Sequence, residues 1–318
     1  MTGGKVKLVE VDERHAGQRI DNFLLSQFNK VPKSRIYRAL RNGEVRVNKG
    51  RVKPVYRVKL GDMVRLPPIN SQTNNDDALP VPDELIADLE NQILLENEHL
   101  LVINKPSGIA AHSGTGERWG VIEIFRASRQ NQPFIELAHR IDKETSGCLI
   151  LAKTRRALLD IQNALHAKDA RKEYVLLVKG HWKVKNLLVS HALEKQSSKK
   201  SGAKMIASEE GKGTLTTFTT RETFGEHTLM EAQIETGRTH QIRVHAQLEG
   251  HPVAGDKRYG DFEYNRVMRD QGLQRLFLHA QSMKLHLADL SQTVEFSAPL
   301  PSELKQVCRR LRKATGTR

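Results

Sequence analysis

Residues 68–104 contain no lysine or arginine and eight Asp and Glu, and this acidic strip divides the chain into two basic bodies. Residues 1–67 hold sixteen Lys and Arg against six acids, and the whole 318-residue chain carries a net charge of +14. Charge kept only for solubility has no reason to be segregated. Two cationic bodies on either side of an acidic connector point to a polyanionic partner, with nucleic acid ahead of an acidic membrane surface or protein. The connector combines Pro67-Pro68, a polar run from Ser71 to Asp77 and Pro80-Val81-Pro82, which is linker composition. The expected division is a small domain at 18–67, a linker at 68–92 and a larger domain at 93–318.

Other classes fall away on composition. The two cysteines, Cys148 and Cys308, support neither a disulfide framework nor a four-cysteine zinc site, and point to a reducing, cytoplasmic setting. No export signal follows Met1, and runs such as Leu100-Leu101-Val102-Ile103 are far too short to span a membrane. No histidine pair has the His-Glu-x-x-His spacing, and the glycine-rich phosphate loops of nucleotide-binding enzymes are absent. The expectation is a protein without metal or cofactor.

In the first body, Ile20, Phe23, Leu24 and Phe28 recur at helical spacing. After a break at Val31-Pro32, Ser34 is placed to cap a second helix, Arg35 to Arg41, with Ile36 and Leu40 inward and Gly43 as its stop. Val45-Arg46-Val47, the turn Asn48-Lys49-Gly50 and Met63 to Leu66 read as strands and a turn. Lys33, Arg35, Arg38, Arg41 and Arg46 lie around the second helix and its exit, where helical spacing can gather several on one solvent face.

The larger domain reads as α+β with a mixed, largely antiparallel sheet, because strand and helix signals do not alternate regularly. Ile93–Leu95 and Leu100–Ile103 suggest a hairpin; Phe134–Ala138, Cys148–Ala152 and Tyr174–Val178 suggest strands. Thr154–Ala167 suggests a helix with Leu158, Ile161 and Leu165 on one face. Glu194–Gly213, rich in Lys, Ser, Gly and Glu, is expected to be a mobile insertion loop.

The sharpest local signal is His139-Arg140-Ile141-Asp142-Lys143-Glu144-Thr145-Ser146-Gly147, a polar loop between two apolar strand signals. A carboxylate there can be held rigidly at a cleft, and Arg140 and Lys143 would favour its ionised form, fit to act as nucleophile or base. An aspartate in a polar loop is by itself more often a turn former.

The complete motif resembles that of the pseudouridine synthase family that includes the ribosomal large-subunit enzymes. Asn104-Lys105-Pro106-Ser107-Gly108, Lys172-Glu173-Tyr174 and Gly237-Arg238-Thr239-His240-Gln241-Ile242-Arg243-Val244-His245 match the same family in the same order. The first body resembles the S4 RNA-binding domain through Arg19-Ile20-Asp21, Ser34-Arg35 and Gly43-Glu44-Val45-Arg46-Val47-Asn48.

The resemblance implies Asp142 as the catalytic residue, Arg140 as an aid to extruding the target nucleotide, and Lys105 and Pro106 as structural support. It implies Tyr174 beside the target base, assisting proton removal, Arg243 ion-paired to Asp142, and Ile242 lining the pocket. Arg238 and His240, in the same motif, are candidate RNA contacts, as are Lys33, Arg35, Arg38 and Arg46 of the S4 domain. The implied reaction is a cofactor-free isomerisation of uridines in large-subunit (23S) ribosomal RNA by a monomeric cytoplasmic protein. Each segment has a plainer reading: a strand end at Lys105-Pro106, a packed ring at Tyr174, or a helix start capped by Thr239. Other whole-chain readings are a noncatalytic rRNA-binding assembly factor, a tRNA-modifying sister enzyme, and a hydrolase releasing uracil.

Overall fold

The structure is a computed structural model and describes residues 6–28, 31, 33–68, 80–113, 118–167, 169–198, 202–208 and 210–316. The chain divides into two compact units, Met1–Pro80 and Val81–Arg318.

In the first unit, β1 (Lys7–Glu10) precedes helices α1 (Ile20–Gln27) and α2 (Lys33–Arg41), followed by β2 (Arg46–Val47) and β3 (Met63–Leu66). The strands form an antiparallel sheet in the order β1-β3-β2. Ile20, Phe23 and Leu24 of α1 meet Ile36 and Leu40 of α2 over this sheet, so the apolar face read from helical spacing is the core of the unit. Phe28 packs at its edge as the residue after α1. Helix α2 begins at Lys33, one residue before Ser34, and the capping role expected of the Ser34 side chain lies outside the described residues. Gly43, at φ +68°, closes the α2 exit as expected. Asp21 accepts from Arg19 Nη2 at 2.7 Å and from the Tyr37 hydroxyl at 2.7 Å, tying the α1 entry to α2.

The second unit opens with α3 (Asp83–Glu90), β4 (Ile93–Glu96), β5 (Leu100–Lys105), α4 (Val121–Ser128), β6 (Glu136–Leu137) and β7 (Ser146–Ala152). There follow α5 (Arg155–His166), β8 (Arg171–Lys179), β9 (Asn186–Ser198), β10 (Gly202–Ala207), β11 (Lys212–Phe224) and β12 (His227–Ile234). The chain ends with α6 (Gln241–Leu248), α7 (Phe262–Asp270), β13 (Leu278–Leu287), β14 (Gln292–Ser297) and α8 (Ser302–Thr315). The main path of the sheet runs β10-β9-β11-β12-β8-β13-β7-β5-β4, with β14 beside β13 and β6 beside β7. Among the described residues only β13 and β7 pair in parallel.

Strand β7 explains how the sheet is covered. Its Leu149 and Leu151 enter the core that contains Val121, Ile124 and Phe125 of α4, while Cys148, Ile150 and Ala152 enter the core with Leu158 and Ile161 of α5. A strand buried on both faces is apolar throughout, which is why 148–152 reads as a continuous run. Thr154 caps α5 by accepting from Ala157 N at 3.1 Å.

Two expectations are corrected. Residues 83–90, assigned to the linker for their acid and proline content, form α3, whose Leu89 is fully buried in the α4 core. The polar run 71–77 lies outside the described residues. Residues 194–213 are not a mobile loop across their described part: β9 and β10 pair antiparallel from Leu193 to Ser198, and β11 extends the ladder on the other side of β9. Backbone pairing supplies the structure there, and only one face needs apolar side chains, such as Leu193 and Met205.

Candidate active site

Asp142 lies in the loop between β6 and β7, and the loop is held from several directions. His139 Nε2 accepts from Ile150 N at 3.1 Å, which keeps that imidazole neutral, and Thr145 N donates to the Asp142 carbonyl at 3.1 Å. The segment after β5 straps the far side: Gly108 N donates to Lys143 O at 2.9 Å and Ser107 Oγ to Glu144 O at 2.7 Å. The fully buried Lys105 donates from Nζ to Pro106 O at 2.7 Å, Ile109 O at 2.8 Å and Lys143 O at 3.1 Å. Pro106 ends the ladder where this strap leaves the sheet.

The last motif forms the facing wall. Gln241 is the first residue of α6 and is buried; its Nε2 donates to Leu215 O at 2.9 Å and its Oε1 accepts from Thr236 Oγ1 at 2.8 Å and Arg238 N at 3.2 Å. These bonds fix the turn before the helix. The helix is preceded by His240 at φ +57°, not capped by Thr239; this left-handed backbone costs a non-glycine residue about 1–3 kcal/mol and so depends on its surroundings.

Arg243, on the first turn of α6, reaches 101 residues back along the chain, its Nη1 3.2 Å from Asp142 Oδ2. Its other edge is held by Asp256, with Nε 2.7 Å from Oδ2 and Nη2 2.9 Å from Oδ1. Arg243 keeps 8% of its side chain exposed, Asp256 none and Asp142 19%, so the buried cation grades outward to a reachable carboxylate. Hydrogen bonding to Arg243 and to backbone amides holds Asp256 below the usual carboxylate range against the opposing effect of burial.

His240 Nε2 lies 3.8 Å from the same oxygen of Asp142. Its Nδ1 is 2.8 Å from the Tyr259 hydroxyl, which accepts from Met205 N at 2.9 Å. With that oxygen already accepting, the tyrosine proton is available to His240 Nδ1, and the imidazole then carries its hydrogen on Nε2, towards Asp142. Burial lowers the His240 pKa, although the Asp142 carboxylate pulls the other way. Tyr259 also lies over the Arg243 guanidinium, 5.1 Å from ring centre to Cζ.

Two clefts share Arg140, Ile141, Asp142, His240 and Arg243. One, of about 140 Å3, is bordered by Tyr174, Ile234, Ile242 and Leu278. The other, of about 380 Å3, is bordered by Lys143, Lys257, Arg258, Ala110, Ala111 and His112. Tyr174 is buried on β8 opposite Ala232 and Ala280, two small residues that leave room for its ring. Burial and the nearby Asp142 charge push its hydroxyl pKa up, so it is protonated at neutral pH. Among the described residues no group of three His, Cys, Asp or Glu is placed to hold a metal ion.

The structure thus brings Asp142, Tyr174, Arg243, Arg140, Ile242, Arg238 and His240 to one place, with Lys105 and Pro106 behind the loop. The S4 candidates belong to the other unit. There Arg35 is paired with Glu44 at 2.7 Å, Arg38 and Arg46 are exposed, and the side chain of Lys33 lies outside the described residues. Sequence reading missed Asp256, Tyr259 and Gln241. Gln241 stood inside the quoted Gly237–His245 motif without a role, and for Asp256 and Tyr259 the available signal was Gly255-Asp256-Lys257-Arg258-Tyr259-Gly260, two glycines bracketing an acid and an aromatic.

Residues 99–248 match the family described as RNA pseudouridylate synthase, and residues 18–64 match the S4 domain. Ribosomal large subunit pseudouridine synthase C of Haemophilus influenzae is 44% identical over 310 residues, covering 97% of this chain and 96% of that protein. The protein of the same name from Escherichia coli (strain K12) is 45% identical over 312 residues, covering 97% of this chain and 98% of that protein. The solved structure of human RNA pseudouridylate synthase domain containing 4 shares the fold, with a TM-score of 0.60, 22% identity and coverage of 72% of this chain and 96% of that one.

Proposed function

The chain belongs to the RNA pseudouridylate synthase family, and on that premise we propose that it isomerises specific uridines of large-subunit ribosomal RNA through Asp142. The observation that carries the role of Asp142 is its partly exposed carboxylate, held end-on by Arg243 where two clefts meet. Its relatives' names and its S4 domain support ribosomal RNA as substrate, and we place the enzyme as a cytoplasmic monomer acting during ribosome assembly.

The reaction moves a base from N1 to C5 attachment and needs no atom from outside. An uridine inside a helix hides C1′, so the nucleotide leaves the stack at a cost of about a few kcal/mol, offset by cationic contacts to phosphate. The exposed Arg140, at the mouth of both clefts, fills the space left behind. The apolar cleft bordered by Tyr174, Ile242 and Leu278 takes the base, and the cationic one takes flanking backbone.

Asp142 then either attacks C1′, forming an ester as the C1′–N1 pair leaves on N1, or removes a sugar proton as the same bond breaks. The retained base turns, C5 bonds to C1′, and Asp142 regains its charge as the ester opens or the proton returns. C5 gives up its proton and N1 takes one up, which closes the balance. Tyr174, bordering the base with a protonated hydroxyl, assists this last exchange.

The test is sequence-specific mapping of pseudouridine, by carbodiimide treatment and reverse transcription, in a strain lacking the gene and complemented with wild type or Asp142→Asn. Large-subunit rRNA stops are expected to vanish on deletion and to return only with wild type. Stops lost from tRNA instead would move the substrate, and restoration by Asp142→Asn would remove Asp142 from the chemistry.

A further inference from the structure

Phe262 is the most exposed large apolar side chain among the described residues, with 73% of it open to solvent. It is the first residue of α7, where its ring adds nothing to the helix; Asp261 supplies the cap by accepting from Tyr264 N at 2.8 Å. A lone apolar residue on a surface needs no explanation, but the setting of this one does.

Helix α7 is fastened to the wider of the two clefts. Asn265 accepts from Gly255 N at 2.8 Å and donates to Asp256 O at 2.9 Å, and Gly260 N donates to the same carbonyl at 3.1 Å. Lys257 and Arg258, in the segment so held, line the cleft assigned above to flanking backbone. Lys179 of β8 holds the cap itself, its Nζ 2.5 Å from Asp261 Oδ2. The ring is therefore carried on a rigid element beside that cleft, where little freedom is lost when a flat group settles on it.

The helix also sorts its charges. Tyr264 and Met268 are buried, while Phe262, Arg266 and Arg269, at i, i+4 and i+7, are exposed and share the opposite face. Asn265 borders this stripe on the side of the cleft segment, and Glu263 and Asp270 lie on its other flank. Glu263 reaches Arg266 at 3.0 Å, but both side chains are largely exposed, so the pair is weak and the guanidinium can exchange it for a phosphate. A protein interface would need a wider apolar patch, and Val267, the other exposed apolar residue of α7, is turned well round the helix from Phe262. An aromatic face with two arginines in line with it fits unpaired RNA.

We propose that Phe262 is a stacking platform for an unpaired base of the ribosomal RNA near the target uridine, with Arg266 and Arg269 on the adjoining phosphates. The inference rests on the reading of the chain as a synthase acting on that RNA. Extruding the uridine leaves its neighbours with a bare stacking face, and a base laid on Phe262 recovers part of what was lost. Every base has such a face, so the platform selects for an unpaired nucleotide at that place and not for its identity.

The experiment measures binding of the full chain to a large-subunit rRNA transcript and to a fully paired RNA duplex. The proteins compared are wild type, Phe262→Ala, Phe262→Leu, Phe262→Trp, Arg266→Gln and Arg269→Gln. Phe262→Ala is expected to raise Kd for rRNA about tenfold without changing its salt dependence. Phe262→Leu, which keeps apolar area but has no π face, should lose nearly as much, and Phe262→Trp should bind at least as tightly as wild type. On the duplex, whose bases stay stacked, the Phe262 variants should match wild type. Each arginine change should flatten the salt dependence of rRNA binding by about one unit of slope. Unchanged rRNA binding in Phe262→Ala, wild-type binding in Phe262→Leu, or an equal loss on the duplex overturns the proposal. If Phe262→Ala lowers the urea midpoint, Phe262→Leu and Phe262→Trp are compared at equal folded fraction, and equal binding by those two overturns it. Self-association abolished by Phe262→Ala while rRNA binding holds would give the face to a second copy of the chain and overturn it as well. Pseudouridine formation by wild type on the same transcript tests the underlying reading separately: its absence removes that reading, whereas its presence beside normal binding by Phe262→Ala removes the platform alone.

Discussion

The ammonium of Lys105 lies 3.1 Å from the carbonyl oxygen of Lys143, the residue immediately after Asp142. A fully buried lysine thus ties the loop bearing the carboxylate to the end of β5. Burial, with Arg275 nearby, pulls the Lys105 pKa down to about 7. The three carbonyls act the other way, since only the charged form has three hydrogens to donate. Geometry this complete favours the ammonium.

Lys105→Met keeps the length of the side chain and removes the Nζ donor from three carbonyls, of which Lys143 O keeps the Gly108 amide. The expected loss is about 3 kcal/mol or more in urea unfolding. Turnover per folded molecule should fall as well, because the Asp142 loop loses its tether. Unchanged turnover would mean that Gly108 and Ser107 suffice to hold the loop.

Gly147, opposite Ala280, shares with Ser146 the only parallel pairing among the described strands. Its φ is +114°, and an added Cβ would meet the Ala280 carbonyl oxygen at 2.1 Å. Gly147→Ala therefore has to separate β7 from β13, for a loss of about 3 kcal/mol read as a lowered unfolding midpoint.

The parts of the site that sequence made legible are those where chemistry and pattern coincide. Asp142 stands between two apolar strands, and Arg243 lies in a dense motif of His, Gln and Arg. Asp256 is as buried as any residue of the core, yet it follows a glycine in a polar run, where an acid ordinarily reads as a turn former. Its partner is thirteen residues away on a helix, a relation with no period to detect. Residues 194–213 read as a loop for a related reason. Composition averages over residues, whereas β9 is set by ladder bonds to β10 on one side and to β11 on the other. Helix α3 was hidden by the prolines before it and by acids that sit on its outer face.

Acid should weaken the fold through histidines buried in neutral form. His279 is fully buried, its Nε2 donating to Ala298 O at 3.1 Å and its Nδ1 placed to accept from Ser146 Oγ at 2.9 Å. Burial lowers its pKa from 6.5 to about 4, and burial does the same for His245. The unfolded chain protonates these rings first, so their contribution is complete above about pH 6.5 and is lost as pH falls towards 4. Each contributes about 3 kcal/mol by this linkage. Urea unfolding near neutrality and at about pH 5 should show the loss, and His279→Gln should reduce it.

Tyr174 offers a final separation of packing from chemistry. Phenylalanine keeps the ring between Ala232 and Ala280, so Tyr174→Phe should fold and bind RNA as wild type does. Burial and the Asp142 charge keep the tyrosine protonated, so its hydroxyl acts in the resting site as a donor and not as a standing base. Removing it should slow the exchange in which C5 loses a proton and N1 gains one, by roughly 10²–10⁴ if the hydroxyl serves as the general acid–base group. The shape of the pH profile around neutrality should be unchanged, because the lost group does not titrate there. Single-turnover rates on rRNA separate the two contributions: a Phe variant at full speed would leave Tyr174 as a packed wall of the base cleft and assign the proton exchange to another group.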